Sequence, residues 1–180
     1  MAIEVTPPSE QWPVQFAGVA AALTRALAGV PVVGIEHVGS TSVPGLAAKP
    51  ILDIDVVVRR EDVAAAIAAL AAAGYEHHGD LGVTDREALL APDADPKRNV
   101  YVCVAGTLHL RNHLAVRDVL RRRPDLRDRY GAVKLALAAD PAMDIETYLD
   151  GKSDILREVL GHSDLSEEEK ALIFALNTNR

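Results

Sequence analysis

Apolar residues follow two different spacings along this chain, and the change between them marks its predicted elements. Near the N-terminus they recur every three or four residues, at Phe16, Val19, Leu23 and Leu27, which predicts a helix capped by Ser9. Three later segments are instead rich in β-branched residues and predict strands: PVVGIEHVG, ILDIDVVV and NVYVCVAG. A second helix is predicted between the last two strands, after Asp62 and before Gly74.

The remaining segments are predicted from weaker periodicities. Residues 75–98 contain glycines and the run APDADPKR, which indicates a loop-rich segment with at most a short strand. The pattern is helical from about residue 114, with one helix ending at Pro124, a second over 126–137 and a third over 145–161. Ser166 and Glu169 form a capping-box pattern ahead of the last helix.

The order of these elements predicts an α+β fold, a small mixed β-sheet flanked by helices with a helical C-terminal part from about residue 114. A length of 180 residues suits one domain, so we expect a single domain over residues 1–180.

The strand ILDIDVVV carries two carboxylates on one side. Alternate residues of a strand share a face at a spacing of roughly 6–7 Å, which places Asp53 and Asp55 together and the residues Leu52, Ile54, Val56 and Val58 on the opposite, core side. Two neighbouring carboxylates raise each other's pKa unless a cation or a donor stabilises them. We expect the two aspartates to share an exposed side of the strand, where Mg²⁺ binds carboxylate and phosphate oxygens together.

The loop before this strand supplies groups that suit a phosphate. Gly39 and Ser40 let backbone N–H groups and a hydroxyl approach an anion closely, with Thr41 next in the chain, and Lys49 adds a positive charge where the strand begins. A Gly-Ser turn followed by Asp-x-Asp on a strand resembles the signature of the nucleotidyltransferase superfamily. The aspartate pair also fits a solvated sheet edge or ion pairs with the arginines of residues 111–129.

Other catalytic motifs do not fit the sequence. Lys49 stands four residues after Gly45 and is followed by Pro50, so the loop is not a P-loop. Ser40 and Ser42 lie outside a G-x-S-x-G motif. The histidines and Cys103 are predicted to be structural or solvent-facing, because none stands in a recognised metal-ligand spacing.

Composition narrows the classes of partner. The net charge of −7 argues against broad nucleic-acid or acidic-lipid binding. A single cysteine, an N-terminus without an apolar signal segment and the lack of a run of about 20 apolar residues predict a cytoplasmic protein without a membrane span. The sequence leaves the oligomeric state open.

The stretch HVGSTSVPGLAAKPILDIDVVV resembles the GrpB family, which belongs to the nucleotidyltransferase-like superfamily. Further matches to its motifs are Trp12, Phe16, Gly74, Tyr75, Arg86, the block RNHLAVRDVLRRRP, Tyr130 with Lys134, and Tyr148 with Lys152. The family also occurs fused to dephospho-coenzyme A kinase, a reaction for which this chain lacks the P-loop.

The resemblance implies a nucleotidyltransferase that binds a nucleoside triphosphate and Mg²⁺ and transfers a nucleotidyl group to an acceptor. Asp53 and Asp55 would be the catalytic residues and metal ligands. The implied phosphate-binding residues are Gly39, Ser40, Thr41, Lys49, Arg117, Lys134 and Lys152. Arg117, Lys134 and Lys152 equally fit a solvated basic surface or salt bridges to Asp118 and Asp125.

One departure from the superfamily pattern leaves the function open. Active members carry a third carboxylate on a later strand, whereas NVYVCVAG offers only Asn99 and Tyr101. Two alternatives to the enzyme therefore stand beside it: a catalytically inactive module that binds a nucleotide or a phosphorylated metabolite, and an accessory domain that acts through protein contacts.

Overall fold

A computed structural model describes residues 4–178 of the chain. The described strands are β1 (Val32–Val38), β2 (Leu52–Val58), β3 (Glu76–His77), β4 (Arg86–Leu90) and β5 (Arg98–Val104). The described α-helices are α1 (Gln11–Ala26), α2 (Val63–Ala72), α3 (Leu108–Arg122), α4 (Pro124–Ala138), α5 (Ile145–Asp150), α6 (Ser153–Gly161) and α7 (Glu167–Thr178). Within this part of the chain, no helix is long and apolar enough to cross a membrane.

The strands form one mixed five-stranded sheet in the order β1-β2-β5-β4-β3. Only the β2–β5 pair is parallel, and the other three pairs are antiparallel. The three predicted strands are β1, β2 and β5, and the loop-rich segment contributes β3 and β4. The predicted α+β class, a mixed sheet flanked by helices with a helical C-terminal part, is confirmed.

Contacts divide the chain into two compact units, neither of which is one continuous segment. The sheet unit contains Glu10–Val38 and Ile51–Leu110, and therefore all five strands with α1 and α2. The helical unit contains residues 4–9, the loop Gly39–Pro50 and residues 111–178. The single domain over 1–180 stays a prediction, and residues 1–3 and 179–180 lie outside the described part.

In the sheet unit, one face of the sheet is apolar. The β2 residues of that face are buried, as predicted: Leu52, Ile54, Val56 and Val58. Their partners on β5 include Val100 and Val102, against which α2 packs. His37 of β1 lies on the same face and stacks on Phe16 of α1, with ring centroids 4.6 Å apart.

The helical unit has its own apolar core. Its buried members are Val43, Leu46, Val119, Leu120, Leu126, Tyr130, Ile155 and Val159. The last helix begins at the predicted capping box: Ser166 N–H donates to Glu169 Oε2 at 2.9 Å, and Glu169 N–H donates to Ser166 Oγ at 3.2 Å.

Two helix boundaries differ from the predictions. Helix α3 begins at Leu108 rather than near residue 114, directly after a turn in which Thr107 Oγ1 donates to the Val104 carbonyl. The predicted helix over 145–161 is two helices, α5 and α6, separated at Gly151. A Cβ at Gly151 would lie 2.8 Å from Leu137 Cδ2, so a larger residue there would force the Leu137 side chain to shift.

Candidate functional site

Asp53 and Asp55 lie on the face of the sheet opposite the apolar one. Strand pairing places Asn99 beside Asp53 and Tyr101 beside Asp55 on the parallel neighbour β5. Asn99 Nδ2 donates to Asp53 Oδ1 at 2.8 Å. We call these four residues, Asp53, Asp55, Asn99 and Tyr101, the aspartate face.

The two aspartates differ in their access to solvent. Asp53 is partly exposed, but Asp55 is 0% exposed, so the expectation of two exposed acids is wrong for Asp55. The physical reason is its place on an inner strand, between Glu36 of β1 and Tyr101 of β5, with the buried Cys103 on the same face. Burial, together with the Asp55 charge, raises the pKa of Cys103.

The pKa of Tyr101 is raised by its surroundings on the aspartate face. Burial is the largest cause, and the negative charges of Asp53 and Asp55 raise this pKa further. The guanidinium of Arg86, on β4, lies 4.6 Å from the centre of the Tyr101 ring and acts in the opposite direction. The aspartate face is therefore strongly negative, with one cation of the same unit close to it.

Sequence reasoning missed the roles of three residues around this face. From the sequence, Asn99 is only the residue that stands where active relatives have a third carboxylate, whereas in the structure it donates a hydrogen bond to Asp53. From the sequence, Arg86 is only a family motif residue, whereas in the structure its guanidinium lies over the Tyr101 ring. Glu36 is the cross-strand partner of Asp55 on β1, so a third acid belongs to the same side of the sheet. Glu36 is the one acid of β1, between Ile35 and His37, and its sequence position alone does not place it beside Asp55.

The donor chemistry of this face fits a hard cation. Across residues 4–178, no three or more His, Cys, Asp or Glu side chains gather into a metal-binding group. Mg²⁺ is commonly held by only one or two carboxylates, with substrate phosphates and water completing its octahedron. Asp53 and Asp55 match that smaller requirement.

The predicted phosphate loop belongs to the helical unit. Gly39 has φ +67° and ψ −173°, a conformation open essentially to glycine alone, and it leads into one 3-10 turn over Ser40–Ser42. The Gly39 carbonyl accepts from Ser42 Oγ at 2.6 Å. Ser40 is half-buried and Thr41 is buried.

Arginines of the helical unit hold this loop by its backbone. Arg121 donates to the Ser42 carbonyl through Nε at 3.1 Å and Nη2 at 2.7 Å, and Arg127 Nη1 reaches the Pro44 carbonyl at 3.4 Å. Arg117, predicted to bind phosphate, donates from Nε to Asp118 Oδ1 at 2.7 Å. That ion pair is the alternative that the sequence left open for Arg117.

Three predicted phosphate-binding lysines come together in the helical unit. Lys49 Nζ lies 4.9 Å and Lys152 Nζ 4.4 Å from the centre of the same ring, that of Tyr148. Lys134 Nζ lies 4.3 Å from the centre of the Tyr130 ring. We call Lys49, Lys134 and Lys152 the lysine cluster. Lys134 and Lys152 thus each contact the tyrosine four residues before them in the chain.

Lys134 is the exceptional member of this cluster. Lys134 is 2% exposed, and its Nζ makes no hydrogen bond to any residue that the structure describes. Burial, and then the positive charge of Lys152, lowers the pKa of Lys134 to about 7. An uncompensated buried ammonium is costly, and this cost is why burial favours the neutral amine at this position.

Comparison with known proteins assigns these features to a family. The family model described as "GrpB protein" matches residues 2–162. The chain belongs to the GrpB family. This confirms the resemblance drawn from the Gly-Ser turn, the aspartate pair and the Arg-Asn-His block.

Individual relatives of this GrpB-family chain agree with the assignment. It is 38% identical over 164 residues to a UPF0157 protein of Pseudomonas aeruginosa, covering 89% of this chain and 67% of that protein. The crystal structure of the conserved protein GrpB from Enterococcus faecalis matches with a TM-score of 0.75 and 33% identity, over 88% of this chain and 98% of that one.

One longer relative is named for a specific enzymatic activity. The chain is 29% identical over 184 residues to a dephospho-CoA kinase of Mycolicibacterium paratuberculosis, covering 87% of this chain and 44% of that protein. The chain thus spans less than half of that kinase, whose name describes the whole protein.

Proposed function

We propose that this GrpB-family chain is a Mg²⁺-dependent nucleotidyltransferase. Asp53 and Asp55 would hold the metal, and Gly39, Ser40 and Thr41 are proposed as phosphate-binding residues because of their order ahead of the aspartates in the sequence signature. Lys49, Lys134 and Lys152 are proposed as phosphate-binding residues because of the family resemblance. The observation that carries the proposal is the pair of neighbouring carboxylates on the aspartate face.

The proposed reaction is an in-line displacement at the α-phosphorus of the nucleoside triphosphate. An acceptor oxygen forms a bond to the α-phosphorus of a nucleoside triphosphate while the bond to the bridging oxygen breaks, and pyrophosphate leaves with that oxygen. When bound, Mg²⁺ neutralises charge on the phosphoryl oxygens. Asp53 and Asp55 would position the metal for this step.

The proposal is tested by calorimetric titration of nucleoside triphosphates with Mg²⁺ or with EDTA. We expect Asp53→Asn to lose the Mg²⁺-dependent part of the binding free energy, because an amide is a weaker ligand for a hard cation. Asp154→Asn is the matched control, since the Asp154 side chain is 100% exposed on α6. Identical binding of wild type with and without Mg²⁺ would refute the metal-dependent enzyme.

A second candidate function is nucleotide or phosphometabolite binding without catalysis. One observation favours it: the strand that would carry a third carboxylate has Asn99 there, already donating to Asp53. Incubation with Mg²⁺, nucleoside triphosphates and a bacterial extract as acceptor separates the two. Pyrophosphate release that is lost in Asp53→Asn supports the enzyme, whereas tight binding without release supports the binding module.

A further inference from the structure

The lysine cluster has a feature that a static phosphate site does not need. Lys134 is enclosed within the helical unit, while Lys49 and Lys152 remain half-buried and share the Tyr148 ring. Two of the three lysines thus keep contact with solvent. The third has neither solvent nor, among residues 4–178, a hydrogen-bond acceptor for Nζ.

The described groups around Lys134 include no anion, and burial outweighs the attraction of the Tyr130 ring for an ammonium. On its own helix, the residues one turn away are Tyr130 and Ala138. The loop Gly39–Pro50 packs on α4 through Leu46 and contributes one ionisable side chain, Lys49. Helix α5 contributes the buried Tyr148, whose pKa is raised by burial and which therefore stays neutral.

No acid on the neighbouring helices compensates the charge of Lys134. The acids of α5 and α6 are all on exposed positions: Glu146, Asp150, Asp154 and Glu158. Lys152, at the N-terminus of α6, is the charged group whose field acts most on Lys134, and it carries the same sign. The empty cluster therefore disfavours a third positive charge.

We propose that the lysine cluster binds a polyphosphate together with one proton, which Lys134 takes up as the anion arrives. This deepens the proposed function, because it rests on polyphosphate binding at these lysines. An anion of several negative charges, bound at the solvent-accessible Lys49 and Lys152, reverses the local potential and thereby favours the Lys134 ammonium. Binding and protonation then favour each other, as two linked equilibria must.

The linkage between binding and protonation predicts the number of protons taken up and the pH dependence of the ATP affinity. The lysine has a pKa of about 7 in the empty cluster, so at pH 8.5 it is mostly neutral. The terminal phosphate of a nucleotide has a pKa near 6, so it is already fully ionised at pH 8.5. We therefore expect an uptake of about one proton per metal-free ATP bound at pH 8.5, and an affinity that falls about tenfold per pH unit between pH 7.5 and 9.5.

The test is calorimetric titration of wild type and Lys134→Met with ATP in EDTA, in two buffers of different ionisation enthalpy. Wild type should take up most of one proton. Lys134→Met should bind ATP more weakly and without proton uptake. Its affinity should lack the pH dependence that protonation of Lys134 gives to wild type. Circular dichroism checks that the variant is folded, and the wild-type pH series tests the proposal without any variant.

Three results would overturn the proposal: no binding of metal-free ATP, binding by wild type without proton uptake, or proton uptake that persists in Lys134→Met. Failure of the nucleotidyltransferase proposal is seen separately. If Mg²⁺ has no effect and Asp53→Asn matches wild type, the enzyme is refuted while proton-linked binding in EDTA still stands.

Discussion

Replacing Lys134 by methionine is expected to stabilise the protein, by an amount that depends on pH. In the folded protein, burial and the charge of Lys152 lower the pKa of Lys134 from 10.5 to about 7. Between these values the unfolded chain holds a proton that the folded chain has lost, so the stability of wild type rises with pH across this window. The penalty is complete below pH 7 and is lost above the pKa of the unfolded chain.

The size of the effect follows from the shift in pKa. One unit corresponds to about 1.4 kcal/mol, so the full penalty for protonated Lys134 is about 5 kcal/mol. At pH 6.5 most of this acts against wild type, and at pH 9.5 only about 1.4 kcal/mol remains. Methionine has a similar length and no charge, so Lys134→Met should exceed wild type in stability by about 3 kcal/mol more at pH 6.5 than at pH 9.5.

The assay is urea unfolding, followed by circular dichroism, at pH 6.5, 8.0 and 9.5. Groups that titrate equally in both proteins cancel in the difference between their unfolding free energies. Lys97→Met is the matched control, because Lys97 is exposed and its removal should leave the pH dependence unchanged. Parallel pH profiles for wild type and Lys134→Met would refute the inference that Lys134 is neutral in the folded protein.

Three further predictions concern local structure. Gly151→Ala should lower the free energy of unfolding by about 1 kcal/mol, because its Cβ would lie 2.8 Å from Leu137 Cδ2; in a Leu137→Ala background the loss should shrink, and an equal loss in both would contradict the clash. Ser166→Ala should cost about 1 kcal/mol in urea unfolding by removing the acceptor of the Glu169 N–H, and unchanged stability would mean that the capping box is unimportant. Cys103 should resist a thiol reagent at pH 8 until urea unfolds the chain, since it is buried with a raised pKa; fast labelling of the native protein would contradict this.

Local patterns in the sequence were sufficient for the strands and for the last helix. The alternation in ILDIDVVV predicted which β2 residues are buried on the apolar face, because side chains of a strand alternate whatever lies around it. The capping box at Ser166 was predictable for the same reason, since both partners lie within one helical turn.

What the sequence did not reveal depends on contacts between distant residues. Asp55 is buried on an inner strand between Glu36 of β1 and Tyr101 of β5, and no local pattern specifies the parallel register of β2 with β5. Gly151, where α5 and α6 separate, packs on Leu137 of another helix. Lys134 follows Tyr130 by four residues, which suits one helix face, but that spacing does not show that Lys134 is enclosed.

The division of the chain into two discontinuous units has a consequence for its synthesis. All segments of the sheet unit have been translated once residue 110 is complete, so its strands can pair while the rest is still being made. The helical core cannot close at that stage. Val43 and Leu46 leave the ribosome early, whereas Ile155 and Val159 emerge more than a hundred residues later. A ribosome stalled once residues 10–110 have left its exit tunnel should therefore display a protease-resistant sheet and an unprotected loop over residues 39–50.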